Sequence, residues 1–374
     1  MKISQFKIGP DQKMELTTDT GVNLVLVFAD RTQLENGIQI SLAHTFPNAK
    51  IVYCSTAGEI MNDSVSEGTV CITAIHFEKT AIRTSLINIA NFKDSIEAGS
   101  AIVKSLLGLH LKHILVFADG QMVNGSDLVS GMNEALPPGV TISGGLAGDG
   151  ARFEKTLVGL DDNIQIGNIA AIGLYGEKLE VSYSSRGGWD SFGPDRKITK
   201  SSANVLYELD GKSALSLYKK YLGDLAAQLP GSALLFPIAI RVGETGQPLV
   251  RTILSINEED QSMTFAGNMP EGAYARLMKA NFDRLIDAAA GAAETCLDTL
   301  DKTPPQLALL VSCVGRRIVL GQRIEEEIES VRDGFGKDTA LAGFYSYGEI
   351  SPLGSAAGCE LYNQTMTITA FREL

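Results

Sequence analysis

The sequence predicts a mixed α+β protein of two domains, built from an internally repeated strand–helix–strand–turn–strand unit whose mixed sheets are packed by helices. Three observations carry this. Apolar, β-rich runs recur at "LVLVFAD" (24–30), "HILVFADG" (113–120) and "LALLVSC" (307–313), the first two sharing Val-Phe-Ala-Asp. Each run is followed by a glycine–acid pair, in "CSTAGEI" (54–60), "GGLAGDG" (144–150) and "FYSYGEI" (344–350). A second β-rich run closes each copy: "TVCITAIHF" (69–77), "NIAAIGLYG" (168–176) and "TMTITAF" (365–371). A motif returning in this order is the mark of a diverged internal repeat.

Helices fill the intervals. In the first copy Leu34, Ile38, Leu42 and Phe46 recur at four-residue spacing, one helical face. In the second, Ser126 and Asp127 are candidate caps for "LVSGMNEAL" before the Pro137-Pro138 stop. In the third, Ile324, Ile328 and Val331 form the inward face, leaving Glu325, Glu326, Glu327 and Glu329 for water. Outside the repeats, residues 275–300 read as one long helix ending before Pro304-Pro305, and 93–110 and 211–223 as shorter ones. "PLVRTILSI" and "QSMTFAG" read as a strand pair around the acidic turn "NEED". The best break falls near Gly223–Ser232, giving domains of residues 20–223 and 224–372.

Composition narrows the function. With 374 residues, 44% hydrophobic and 20% charged, the chain can bury a large core. A net charge of −12 and a pI near 4.9 argue against a nucleic-acid partner, since phosphate binding needs a basic field. No apolar run approaches membrane-spanning length, and "MKISQFKIGPDQK" lacks a signal-peptide core. Five scattered cysteines without a C-x-x-C pair suit reduced thiols in the cytoplasm and give no structural zinc site.

Several catalytic motifs fail on spacing. The Gly-Lys-Ser at 211–213 has Leu206 where a phosphate loop needs glycine, and "GGLAGDG" does not match G-x-G-x-x-G. Neither G-x-S-x-G nor H-E-x-x-H occurs. Cys313, with Arg316 close by, and Cys54 are candidate nucleophiles for a thiol-dependent enzyme, set against the plainer reading of small core residues. Of four histidines, His44 and His76 are weak candidates for a haem ligand.

The repeated turns carry the most chemistry. Glycine at the end of a buried strand permits a sharp turn, and ligands of open α/β sheets bind outside strand carboxyl ends. Glu59, Asp149 and Glu349 can therefore meet an ammonium or hydroxyl, or simply cap loose N–H groups. Tyr345, Tyr347 and Glu349 share one face if that segment is extended. With Asn363, Gln364, Cys313 and Arg316 they suit a pocket for a small zwitterion or anion. Trp189, in the glycine-rich stretch "RGGWDSFGPDRKIT", is either a lid or a cover of the sheet.

Taken together, "CSTAGEI", "GGLAGD", "GWDSFGPDRKIT", "LDGKSALSLYKKYLG", "SCVGRRIVLGQRIEEEIE", "GFYSYGEISP" and "CELYNQTMT" resemble the FIST family, in family order over roughly residues 20 to 372. The resemblance implies an amino-terminal FIST domain and a FIST C-domain, and gives Glu326 the place of a recurrent glutamate. It implies a cytoplasmic sensor in bacterial signal transduction that binds a small ligand, such as an amino acid or its derivative. Some free-standing members are haem proteins that respond to nitric oxide and regulate a partner histidine kinase. With no kinase or cyclase segment in the sequence, the expected output is likewise a separate protein.

Overall fold

The computed structural model describes residues 1–10, 12, 16–352 and 358–374. Three copies of the unit are present. In each, two strands lie parallel with a helical connection between them: Leu24–Ala29 with Lys50–Ser55, Leu111–Ala118 with Thr141–Leu146, and Leu307–Cys313 with Ala340–Ser346. The closing strand of each copy (Val70–His76, Asn168–Tyr175, Met366–Glu373) runs antiparallel to the first. An outer strand (Lys2–Ile8, Ala81–Asn88, Leu179–Arg186) then covers the closing strand.

The hairpin after each glycine–acid turn leaves its own sheet. Glu59–Met61 pairs with Ala340–Ser346 of the third copy, Val158–Leu160 with Lys50–Ser55 of the first, and Gly348–Pro352 with Thr141–Leu146 of the second. The exchange closes a cycle, so three six-stranded sheets each borrow a hairpin from a neighbour. The borrowed strand covers an otherwise open edge, which removes a template for aggregation. Inside, residues of all three copies form one apolar centre, where Phe28, Phe117 and Phe344 meet at centroid separations of 4.8–6.0 Å.

A fourth sheet, from residues 190–279, is inserted between the outer strand Leu179–Arg186 and the helix Phe282–Thr299. It has its own core around Leu215, Tyr218, Met263 and Phe265 and draws strands from both sides of Gly223–Ser232.

Local readings differ from the structure in three places. Tyr274–Lys279 is a strand with alternate burial, and the helix begins only at Phe282, where the Asn281 side chain accepts from Arg284 N (3.3 Å). The first helix is split by Gly37 at φ 83° into Arg31–Glu35 and Ile38–Thr45. Asn124, one turn earlier than expected, caps Gly125–Ala135 by accepting from Asp127 N at 3.1 Å.

That helix lies tightly on Ser95–Ser105: a Cβ at Gly131 would stand 1.8 Å from the Ile96 carbonyl oxygen. Gly131→Ala must therefore push the helices apart. It should cost about 1–3 kcal/mol in urea-induced unfolding.

Candidate functional site

The glycine–acid turns do not aim their carboxylates outward. Glu59 is buried and accepts from Thr56 Oγ1, Thr69 Oγ1 (2.7 Å) and Thr69 N (3.2 Å). Glu349 repeats this with Ser346 Oγ (2.7 Å), Thr365 Oγ1 (3.0 Å) and Thr365 N (3.2 Å). Each acid thus ties its outgoing hairpin to the start of the closing strand. Burial pushes Glu59 up to about 7 and Glu349 up to about 8, although these donors pull both down.

The second copy has lost the latch. Leu146 stands in place of Thr56 and Ser346, and Gly167 in place of Thr69 and Thr365. Asp149 turns elsewhere, accepting from the backbone N–H of Phe153, Glu154 and Lys155 (2.9–3.1 Å), from Arg31 Nη1 (3.2 Å) and from the Tyr347 hydroxyl. It anchors a loop, so all three turn acids serve structure and the outward-facing reading is corrected.

The third copy's polar residues are also consumed within the fold. Arg316, fully buried, pairs with Glu327 (2.6 and 2.7 Å) and donates to the carbonyl oxygens of Gly187, Leu285 (2.8 Å) and Gln364 (3.4 Å). Glu327 takes further bonds from Ser312 Oγ (3.2 Å) and Tyr345 OH (3.0 Å). Of the four glutamates expected to face water, Glu327 is therefore the one that is buried. Glu326, favoured by the family resemblance, is on the surface, paired with Arg323 at 2.7 Å. Residues 327, 331 and 335 recur every four positions on the buried face, the signal that sequence reasoning missed.

Trp189 is a cover and no lid. Its indole N–H donates to the Gln364 carbonyl (2.8 Å) and its ring packs on Leu285, Val319 and Leu320. Tyr345, Tyr347 and Glu349 do not share a face, because the chain turns at Tyr347 as it passes between sheets. The side-chain amides of Asn363 and Gln364 are fully buried and make no hydrogen bond within the protein.

Space for a guest lies at the defective copy. A cavity of about 660 Å³ opens where the second copy (Gly120–Gly125, Leu146, Phe153), the third copy (Cys313, Val314, Tyr347) and the inserted sheet (Thr252–Leu254, Phe265–Gly267) converge. It sits outside strand carboxyl ends, as expected, and its volume suits a small ligand. Asp119 shapes its wall by accepting from Gln121 N (2.7 Å), Met122 N (2.8 Å) and Gly167 N (2.7 Å). Of the residues expected to bind a ligand, Cys313 and Tyr347 line it; Arg316, Glu349, Asn363, Gln364, Glu326, Trp189, Glu59 and Asp149 do not. Leu146, Phe153, Thr252 and Phe265 were missed. Only Leu146 was hinted at, by the loss of the hydroxyl two residues before Gly148.

A smaller cavity of about 520 Å³ lies beside the first turn, lined by Asp30, Glu59, Glu67, Arg152 and Arg317 among others. Its charges answer one another: Arg152 meets Asp30 at 3.0 Å, and Arg317 pairs with Glu67 and donates to the Ala57 carbonyl at 2.6 Å.

The donors do not fit thiolate or histidine chemistry. Burial, reinforced by Glu349, pushes the Cys313 thiol up to about 12, leaving it protonated and a poor nucleophile near neutrality. Burial likewise raises the Cys54 thiol well above its ordinary value. His44 is exposed on its helix, and His76, at the end of its strand, holds the Gly21 carbonyl. His113 is buried but bonded through both nitrogens, to Thr141 (2.7 Å) and Ser143 (2.9 Å). Among the described residues no histidine lines either cavity and the larger one offers no cation to propionates, so these residues do not fit a haem there. Among the described residues no group of three potential metal ligands occurs, and no helix is long and apolar enough to cross a membrane.

Residues 23–212 match the family model described as the FIST N domain, and residues 214–352 the one described as the FIST C domain. No curated protein matches the chain.

Proposed function

The chain belongs to the FIST family, whose domains are associated with sensing small ligands in signal transduction, and from that premise we propose that it is a ligand sensor acting on a separate signalling protein. The larger cavity is the ligand site. The observation that carries this reading is its position: three parts of the chain, distant in sequence, wall one space. A guest there bears on the inserted sheet and on the second and third copies at once. Its binding energy can shift the equilibrium between arrangements of the sheet on the repeat core, and so the affinity for a partner such as a histidine kinase. The neutral thiol of Cys313 becomes a wall of the site.

The test begins with natively purified full chain. Mass spectrometry of extracted small molecules, and thermal-shift screening where none co-purifies, supply the ligand. Hydrogen exchange with and without it should then slow in 120–125, 252–254 and 265–267 together. Slowing confined to the smaller cavity's residues, or no compound shifting the melting curve, defeats the reading.

A further inference from the structure

Resting on that reading of the larger cavity, we infer that its ligand is an uncharged molecule with an apolar body. Among the described residues the lining contains no aspartate, glutamate, lysine, arginine or histidine. Its inner wall is Val123, Leu146, Leu234, Ile253, Phe265 and Val314. An ion placed there would lose its water and gain no counter-charge, which strongly disfavours a zwitterion or carboxylate.

The polar groups of the wall are mostly spoken for. Asn204 donates its amide to the Phe265 carbonyl at 2.7 Å, and Asn124 is used by Asp127 N (3.1 Å) and Asn268 (3.3 Å). The Tyr347 hydroxyl is bound to Asp149 and to the Gly150 carbonyl (3.2 Å). Thr252 Oγ1 has no partner within the protein, but it is itself buried and does not open onto the space.

The mouth is apolar too. Met122, Phe153 and Leu254 are 51%, 43% and 45% exposed and all belong to the lining. Three large apolar side chains in water around one opening form a collar over which the ligand's body can extend. Phe153 is held flat against Tyr347, centroids 4.6 Å apart, so the collar is anchored to the wall behind it.

Two fluorescent probes separate charge from shape: N-phenyl-1-naphthylamine, and its sulfonate 8-anilinonaphthalene-1-sulfonate. With the folded full chain, the neutral amine should bind saturably at one site, and the sulfonate at least about tenfold more weakly. Leu146→Glu inside and Leu254→Asp at the mouth should each weaken the amine, the second being a surface change that leaves the core intact. If the amine fails to bind, or both acidic variants bind it as the parent does, the cavity is not the ligand site and the reading beneath this inference falls. If the acidic variants lose the amine but the parent binds the sulfonate equally well, the site stands and the ligand class is wrong.

Discussion

Glu327→Ala should lower the unfolding free energy by about 3–5 kcal/mol, among the largest losses available to a single substitution in this chain. The reason is the charge left behind. Arg316 is fully buried and, among the described residues, has only one anion, Glu327, within ion-pair distance. Removing that anion strands a guanidinium among three carbonyl oxygens and leaves the Ser312 and Tyr345 hydroxyls without their acceptor. Arg316→Met with Glu327→Leu together should recover much of the loss, because an apolar pair of similar volume carries no desolvation penalty. Urea unfolding of the two single variants and the double supplies the comparison. Glu326→Ala, one residue away on the solvent side, should leave the midpoint where it was. Equal effects at 326 and 327 would show that the helix does not sit as described.

That contrast also marks how far the sequence could be read. The repeats were legible because Val-Phe-Ala-Asp at 27–30 and 116–119, and Ile-Thr-Ala at 72–74 and 368–370, survive in strands buried on both faces. Which edge each hairpin would join was not legible, since pairing of 59–61 with 340–346 spans most of the chain and leaves no local trace. The site suffered similarly. Glycine–acid pairs drew attention as ligand groups, yet a buried carboxylate ringed by threonine and serine hydroxyls is indistinguishable in sequence from one facing a guest. The informative feature was a defect: Leu146 and Gly167 replace latch residues in one copy of three, and the cavity lies there. Residues 252 and 265 come from the inserted sheet, outside the repeat, so no comparison among copies could point to them.

The two intact latches make stability depend on pH in a definite direction. Burial holds Glu349 up to about 8 and Glu59 up to about 7, against 4.5 for an ordinary glutamate, even with donors from Ser346, Thr365, Thr56 and Thr69 opposing it. The folded protein therefore binds these protons more tightly than the unfolded chain does. The stabilisation is fully present below about pH 4.5 and is lost as pH rises through 7 and then 8. At about 1.4 kcal/mol per pH unit of separation, each latch accounts for on the order of 3–5 kcal/mol. When protonated, each acid donates its own O–H, which the neighbouring hydroxyls accept by rotating. Glu373 behaves oppositely: burial would raise it, but the Met1 amine, two backbone N–H groups and Thr80 outweigh this and hold it at about 2. Its contribution disappears only in acid, outside the window of the latches. Glu349→Gln and Glu59→Gln mimic the neutral acid, so each should match the parent near pH 5 and exceed it near pH 8.5, with the flattest profile in the double variant. Urea unfolding across pH 5 to 8.5 reads this directly, and a parent slope that persists in the double variant would mean the latches carry their charge throughout.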